Sequence, residues 1–246
     1  MKRVLIFCLF CLLFVFQTTA QRTYVLVTGV SNYQNENINL SQTTKDATAV
    51  QKVWLGQTPH VTLLTSRYAN HDNILEKLRA LCNRATPQER IVFYFSGHGG
   101  NGCICAFDKN ISYDELMAVL KGSQAKEKYC FIDACHAGSV VDAIKGENQN
   151  SSSWMKGIDG SDLIFYMSCR SNEYSYEHSW VGKGFFTQAL LKGIRGKADV
   201  DRNRQITVKE LFDFIYSDVT RRSNSEQHPQ LIASPKVYKT VVARWD

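Results

Sequence analysis

Arg90-Ile91-Val92-Phe93-Tyr94-Phe95 runs straight into Ser96-Gly97-His98-Gly99-Gly100. Aromatic and β-branched residues without polar alternation, cut off by a glycine-rich turn, read as a strand buried on both faces. The same signature recurs at Thr23 to Gly29, Val61 to Leu64, Tyr129 to Ala134 and Leu163 to Ser168. Between these runs the apolar spacing turns helical: Ala47, Val50, Val53 and Trp54, then Ile74, Leu75, Leu78 and Leu81. Ser112-Tyr113-Asp114-Glu115 is a capping box, with Ile111 and Leu116 as its hydrophobic staple, opening a helix that ends near Lys121-Gly122. Further helices are expected around Phe185 to Ile194 and Thr207 to Tyr216. Strands alternating with helices predict an α/β fold, a parallel sheet covered on both faces. Ligands of such sheets bind just beyond the carboxyl ends of the strands.

His98 follows the third of these strands and Cys135 the fourth, 37 residues later. A strand-helix-strand crossover between them brings both side chains to one edge of the sheet, from parallel strands that can be neighbours. A cysteine and a histidine brought together make a nucleophile and its proton acceptor. An ordinary thiol has a pKa near ~8.5, so an adjacent imidazole or a helix amino end is needed to favour the thiolate. Gly97, Gly99 and Gly100 allow the backbone to approach a ligand closely. The N–H groups of Gly99 and Cys135 can then bind the oxyanion formed when a thiolate attacks a carbonyl. The competing reading is a glycine turn with a surface histidine beside a buried cysteine. His136 is the weaker base, because adjacent side chains diverge, and no Gly-x-Ser-x-Gly pattern supports a serine hydrolase.

Composition excludes other classes. With 246 residues, 44% hydrophobic, 21% charged and 4 prolines, the chain is neither disordered nor collagenous. Lys+Arg of 29 against Asp+Glu of 23 leaves +6, spread without basic runs, so no nucleic-acid partner is expected. Lys2-Arg3, an apolar run from Val4 to Phe16 and small residues up to Ala20 form a signal peptide, residues 1–20, cut before Gln21. An uncleaved anchor is the alternative. Export to the periplasm or the outside is expected, with no membrane association after signal removal and a single domain over 21–246. Residues 146–160, rich in Asn, Ser and Gly, form a flexible internal linker. Six cysteines remain after removal of the signal, too few for a disulfide scaffold. Cys103 and Cys105 face the same way if they lie in a strand, which is half a metal site at most. Most of the six read as buried free thiols.

The segments Tyr94 to Gly100 and Ile132-Asp133-Ala134-Cys135-His136-Ala137-Gly138 closely resemble the two active-site motifs of caspase-like cysteine peptidases. Within that group they are most similar to metacaspases and their bacterial relatives. Gly184 to Leu190, Ile206 to Leu211 and Gln227 to Gln230 resemble later parts of the same domain. The resemblance implies a caspase-type three-layer α/β sandwich with a mostly parallel sheet. It also implies a Cys135–His98 endopeptidase that needs no cofactor. Metacaspases prefer Arg or Lys before the cut bond, so peptide or protein substrates with those residues are expected. By position, Asp133 and Asp46 correspond to acids of the specificity pocket, and Ser168 to a residue lining it. Asp46 also fits a helix cap with Thr43. Family members are commonly cut between their large and small parts, which makes Lys145 and Lys156, each followed by glycine, candidate self-cleavage sites. An uncut surface loop is the alternative there.

Asp199-x-Asp201-x-Asn203-x-Gln205-x-Thr207-x-x-Glu210 has the spacing of a calcium-binding loop. Arg204 takes the place of the sixth-position glycine, and Thr207 with Glu210 reads better as a capping box. Some metacaspases are activated by calcium through acids near the active site. Asp114 and Asp142 correspond to two of these, while Tyr113 stands where a further acid is common, so the resemblance leaves calcium activation open. Two alternatives stay open at this level: the same fold with another side-chain preference, and a catalytically silent secreted interaction domain.

Overall fold

The computed structural model describes residues 21–100, 102–134, 162–170, 177–178 and 183–245. The N-terminal apolar segment and the stretch 146–160 lie outside them. In chain order the first half comprises β1 (Thr23–Gly29), α1 (Thr43–Leu55), β2 (Val61–Thr65), α2 (His71–Arg84), β3 (Arg90–Ser96), β4 (Gly99–Gly100), β5 (Cys103–Cys105), β6 (Asn110–Ser112) and α3 (Tyr113–Lys121). The second half comprises β7 (Glu127–Asp133), β8 (Leu163–Met167), β9 (Glu177–His178), β10 (Lys183–Gly184), α4 (Phe185–Lys192), β11 (Gln205–Thr207), α5 (Val208–Arg222), β12 (Gln230–Ile232) and β13 (Val241–Arg244).

The central sheet has the order β12-β8-β7-β3-β1-β2. All neighbours are parallel except β12, which closes the β8 edge antiparallel. Side chains alternate across the pleat, so each central strand feeds two cores. Ile91, Phe93 and Phe95 of β3 join Ile74, Leu75 and Leu78 of α2 and Leu116 of α3 on one face. Val92 and Tyr94 point the other way, to Val50 and Trp54 of α1, Phe186 and Leu190 of α4, and Ile215 of α5. These two cores make the three layers, and they explain why the strands read as continuous apolar runs.

Three expectations change in detail. The glycine turn after β3 is itself part of a small antiparallel sheet, β4-β5-β6, whose strands are too short to show a period. The last long helix continues past Tyr216 to Arg222, where Arg221 and Arg222 both reach Asp218. The sheet is mixed through β12, a three-residue strand.

The amino-terminal edge of the sheet is fastened by one cation. Arg90 is paired in register with Glu127 across β3 and β7, with Nη2 2.6 Å from Oε2. Its remaining donors reach the carbonyl oxygens of Val241 and Val242, at 2.7 and 3.1 Å, tying β13 to the sheet. Removing one member of a buried ion pair leaves the other charge without compensation. Arg90→Met is therefore expected to lower the free energy of unfolding by about 3–5 kcal/mol. Adding Glu127→Leu should recover part of that loss but not all, because the carbonyls of β13 stay unserved. Urea unfolding of the two variants beside the parent checks this; a double variant no more stable than Arg90→Met would mean that the charge pair contributes nothing of its own.

Candidate active site

β3 and β7 are adjacent and parallel, with Ser96 opposite Asp133. The pairing continues past the strand ends, where Gly97 N–H donates to the Asp133 carbonyl at 3.2 Å and Val30 N–H to the Ser96 carbonyl at 2.9 Å. His98 lies two residues beyond Ser96, and Cys135 is two residues beyond Asp133 in the chain. The structure thus makes the two motif-bearing strands neighbours at one carboxyl edge, as the crossover requires. Cys135 itself lies outside the described residues, as do Lys145, Lys156 and Asp142.

His98 is held from both ends. Its backbone N–H donates to the Tyr33 hydroxyl at 2.6 Å, and its ring lies 5.0 Å from the Tyr33 ring at a 42° tilt. Its Nε2 is 2.7 Å from the carbonyl oxygen of Ile38. A carbonyl only accepts, so Nε2 carries the proton and Nδ1 is the basic nitrogen. Neither Tyr33 nor the Ile38 carbonyl was singled out in the sequence; a backbone acceptor leaves no trace in residue type. Gly99 pairs with Ile104 of β5, and the Cys105 N–H donates to the His98 carbonyl at 2.9 Å. In an antiparallel ladder bonded and non-bonded pairs alternate, so the Gly99 N–H points out of the hairpin.

Asp46 and Asp133 come together although 87 residues separate them in the chain. Asp133 ends β7. Asp46 lies in the first turn of α1, which reaches the same edge because Gly29 lets the helix touch the strand: a Cβ there would sit 2.6 Å from the Thr43 carbonyl. The helix-cap reading of Asp46 is not realised, since the residue at the helix cap is Gln42 and makes no side-chain bond there. The Ser31 hydroxyl takes the Thr44 N–H instead, at 2.9 Å. Asp46 Oδ2 accepts the Gly184 N–H at 3.1 Å. A Cβ on Gly184 would lie 3.0 Å from Oδ2 of Asp133 and 3.6 Å from Oδ2 of Asp46, so both carboxylates face this glycine. Both are deeply buried, at 1% and 6% exposure.

A hydroxyl relay supports Asp133. Thr187 Oγ1 donates to its Oδ2 at 2.6 Å, which obliges Thr187 to accept from the Tyr94 hydroxyl, also at 2.6 Å. Burial, followed by the charges of Asp46 and then Asp133, holds the Tyr94 hydroxyl well above its ordinary pKa, so it stays a donor. Thr187 and Gly184 sit in a segment whose family resemblance was legible, but their roles were not.

Ser168, expected to line the pocket, is fully buried and does something else with its hydroxyl. Oγ donates to the Ala134 carbonyl at 2.9 Å and accepts the Ala134 N–H at 3.1 Å. It pins the residue just before Cys135. Gln227 backs this clamp, its Nε2 donating to the Ser168 carbonyl at 2.8 Å.

The acids considered for calcium divide. Asp114 is exposed at the start of α3, which opens on the expected capping box of Ser112 and Glu115. Asp199, Asp201 and Glu210 offer carboxylate oxygens within 4.8 Å of one another. Arg204 adopts the left-handed conformation, φ 63°, that glycine would take in such a loop. These carboxylates accept loop N–H groups, from Asn203 and Arg204 to Asp199 and from Asn203 to Asp201. Glu210 completes the expected capping box with Thr207. The cluster adjoins β11 and β13, at the sheet edge opposite His98.

The caspase domain model matches residues 22–238 of the chain. Metacaspase-3 of Arabidopsis thaliana is 25% identical over 207 aligned residues, covering 67% of this chain and 57% of that one. A probable protease of a Desulfuromonadales bacterium is 23% identical over 269, covering 88% and 32%. The chain therefore spans less than two thirds of the length of these relatives. The crystal structure of caspase-1 from Spodoptera frugiperda superposes with a TM-score of 0.63 at 16% identity, over 87% of this chain and 88% of that one. That likeness is one of fold, a three-layer sandwich on a mostly parallel sheet. Strand order, neighbouring motif-bearing strands and a match running from residue 22 to residue 238 agree, and the chain belongs to the caspase domain family.

Proposed function

We propose that this chain is a cysteine-type endopeptidase that cleaves protein substrates after Arg or Lys, with Cys135 as nucleophile and His98 as base. The observation that carries the specificity is the meeting of Asp46 and Asp133 at Gly184, beside the edge that holds His98. Two carboxylates this close repel, and a guanidinium or ammonium group inserted between them turns repulsion into attraction. An Asp side chain would add a third negative charge. Gly184 leaves room for the incoming group where any Cβ would press on Asp133.

In the proposed reaction Nδ1 of His98 accepts the Cys135 thiol proton, and the sulfur attacks the carbonyl carbon of the residue whose side chain fills the pocket. The Nε2–H bond to the Ile38 carbonyl steadies the imidazolium that results. Negative charge on the substrate oxygen is met by the N–H groups of Gly99 and Cys135. Collapse expels the amine, which takes the proton back from His98, and water releases the thioester by the reverse sequence. Ser168, through Ala134, fixes the backbone that carries the nucleophile. No step calls for a metal or an organic cofactor.

Cys135→Ala should abolish turnover and His98→Ala should reduce it at least about a hundredfold, the lower range for a general base. The direct check is covalent labelling of Cys135 by a peptide electrophile ending in Arg. A folded, reduced protein that takes no label would be the silent interaction domain instead.

Asp46→Asn keeps an oxygen for the Gly184 N–H but removes the charge. It should cost about tenfold or more in kcat/KM on Arg and Lys reporter peptides, and leave reaction with a small thiol reagent unchanged. Matched reporters ending in Arg, Lys, Asp or Leu read this out. A wild-type preference for Asp or Leu would sink the basic-pocket assignment.

Export and self-processing complete the proposal. Lys2-Arg3, the apolar run and Ala20 support secretion, and Lys145-Gly146 and Lys156-Gly157 supply matching bonds between β7 and β8. Intact-mass measurement of the exported product should give a chain beginning at Gln21 and cut after Lys145 or Lys156, uncut in Cys135→Ala. Equal cutting in both forms would assign the cleavage to another protease.

A further inference from the structure

β5 presents Cys103 and Cys105 on one face, with the buried Ile104 between them on the other. Both are partly exposed, while the other described cysteines, Cys82, Cys130 and Cys169, are buried. The two thiols also sit in a defined setting. The Cys103 sulfur leans over Gly100, where an added Cβ would meet it at 3.2 Å. β5 is the middle strand of its sheet, with Cys103 opposite Gly100 and Ser112, and Cys105 opposite Asn110.

We propose that Cys103 and Cys105 are a redox-active thiol pair, in which a peroxide oxidises Cys103 and Cys105 resolves it to a disulfide within β5. In the first step the Cys103 thiolate attacks one peroxide oxygen, the O–O bond breaks, and the sulfur is oxidised by two electrons to a sulfenic acid while the other oxygen leaves as hydroxide, which solvent protonates to water. In the second, the Cys105 sulfur attacks the Cys103 sulfur, the S–O bond breaks, and the departing hydroxide takes the Cys105 proton to form a second water.

The chemistry of the pair is asymmetric in the required sense. The neighbouring Cys105 thiol, then the Gly100 backbone, bring the Cys103 thiol down to about 7, while Cys105 is pushed up by its neighbour and by burial. Burial pushes Cys82 up to about 11 and Cys130 well above its ordinary value. Cys103 is thus the thiol of the pair that ionises first and Cys105 the proton-bearing partner. Alternate residues of a strand are ~6.6 Å apart, close to the upper limit of ~6.8 Å between the Cα atoms of a disulfide. Closing the bridge must pucker β5, and strained bridges are readily reduced, so the modification is reversible. It also pulls on the Cys105 N–H bond to the His98 carbonyl.

The proposal is independent of the peptidase reading and is tested without activity. The full chain carrying Cys135→Ala, so that the proposed nucleophile contributes no thiol, is treated with hydrogen peroxide, alkylated and digested with trypsin. The peptide Ile91 to Lys109 should be two hydrogens lighter and unalkylated, and dithiothreitol should restore both alkylation sites. In a Cys105→Ser background, where the sulfenic acid cannot be resolved, peroxide followed by dimedone should label Cys103. Should that variant not fold, the digest of the parent decides alone. Two alkylatable thiols after peroxide, or oxidation of Cys82 or Cys169 ahead of Cys103, would overturn the assignment.

Discussion

The register between β3 and β7 is the constraint on which the site depends. Ser96 lies opposite Asp133, and both strands end there. A slip of one residue would exchange every side chain between the two cores. Phe93 and Phe131, both fully buried, make such a slip prohibitive. The hydrophobic cores therefore fix, as a by-product, the height at which the His98 turn and the Asp133 carboxylate emerge. Catalytic geometry in this fold inherits its precision from packing on the far side of the backbone.

The second requirement is that a helix supply a charged group to a strand end. α1 does so because the backbone around Thr43 rests on Gly29, which brings Asp46 to Gly184 and Asp133. Burying two carboxylates together is costly unless donors face them. The Gly184 N–H and the Thr187 hydroxyl do, and the high pKa of Tyr94 keeps the relay pointed towards the acid. The two carboxylates thus have donors of their own, while His98 pairs with a tyrosine hydroxyl and a backbone carbonyl.

Much of this was legible in residue order. Runs such as Arg90 to Phe95 are apolar at every position only when both faces are covered, so strand identity and the layered fold followed directly. His98, Asp133 and Asp46 were legible through their motifs. What escaped depends on atoms that residue type does not encode. The cap of α1 comes from Ser31, outside the local pattern, so Thr43 and Asp46 looked like a cap when they were not. Ser168 was legible as a serine ending a strand; that its buried hydroxyl bonds both backbone groups of Ala134 was not. Strands of two or three residues, β4 to β6, are held by the ladder and by neighbours, and no periodicity announces them. Arg204 shows the limit of reading glycine as obligatory: a loop stitched by Asp199 holds arginine at positive φ.

β8 is locked between β7 and β12 by hydrogen-bonded pairing along its length, and α4 and α5 share a core with strands on both sides of the β7–β8 connection. Severing the chain within that connection would remove one covalent link and none of these contacts. The two pieces would remain one folded body, but a body with two components. Its unfolding would then obey mass action: the midpoint would fall on dilution, and recovery from denaturant would become a second-order encounter between fragments. For an intact chain concentration is irrelevant to folding stability; for a severed one it would set the lifetime of the fold.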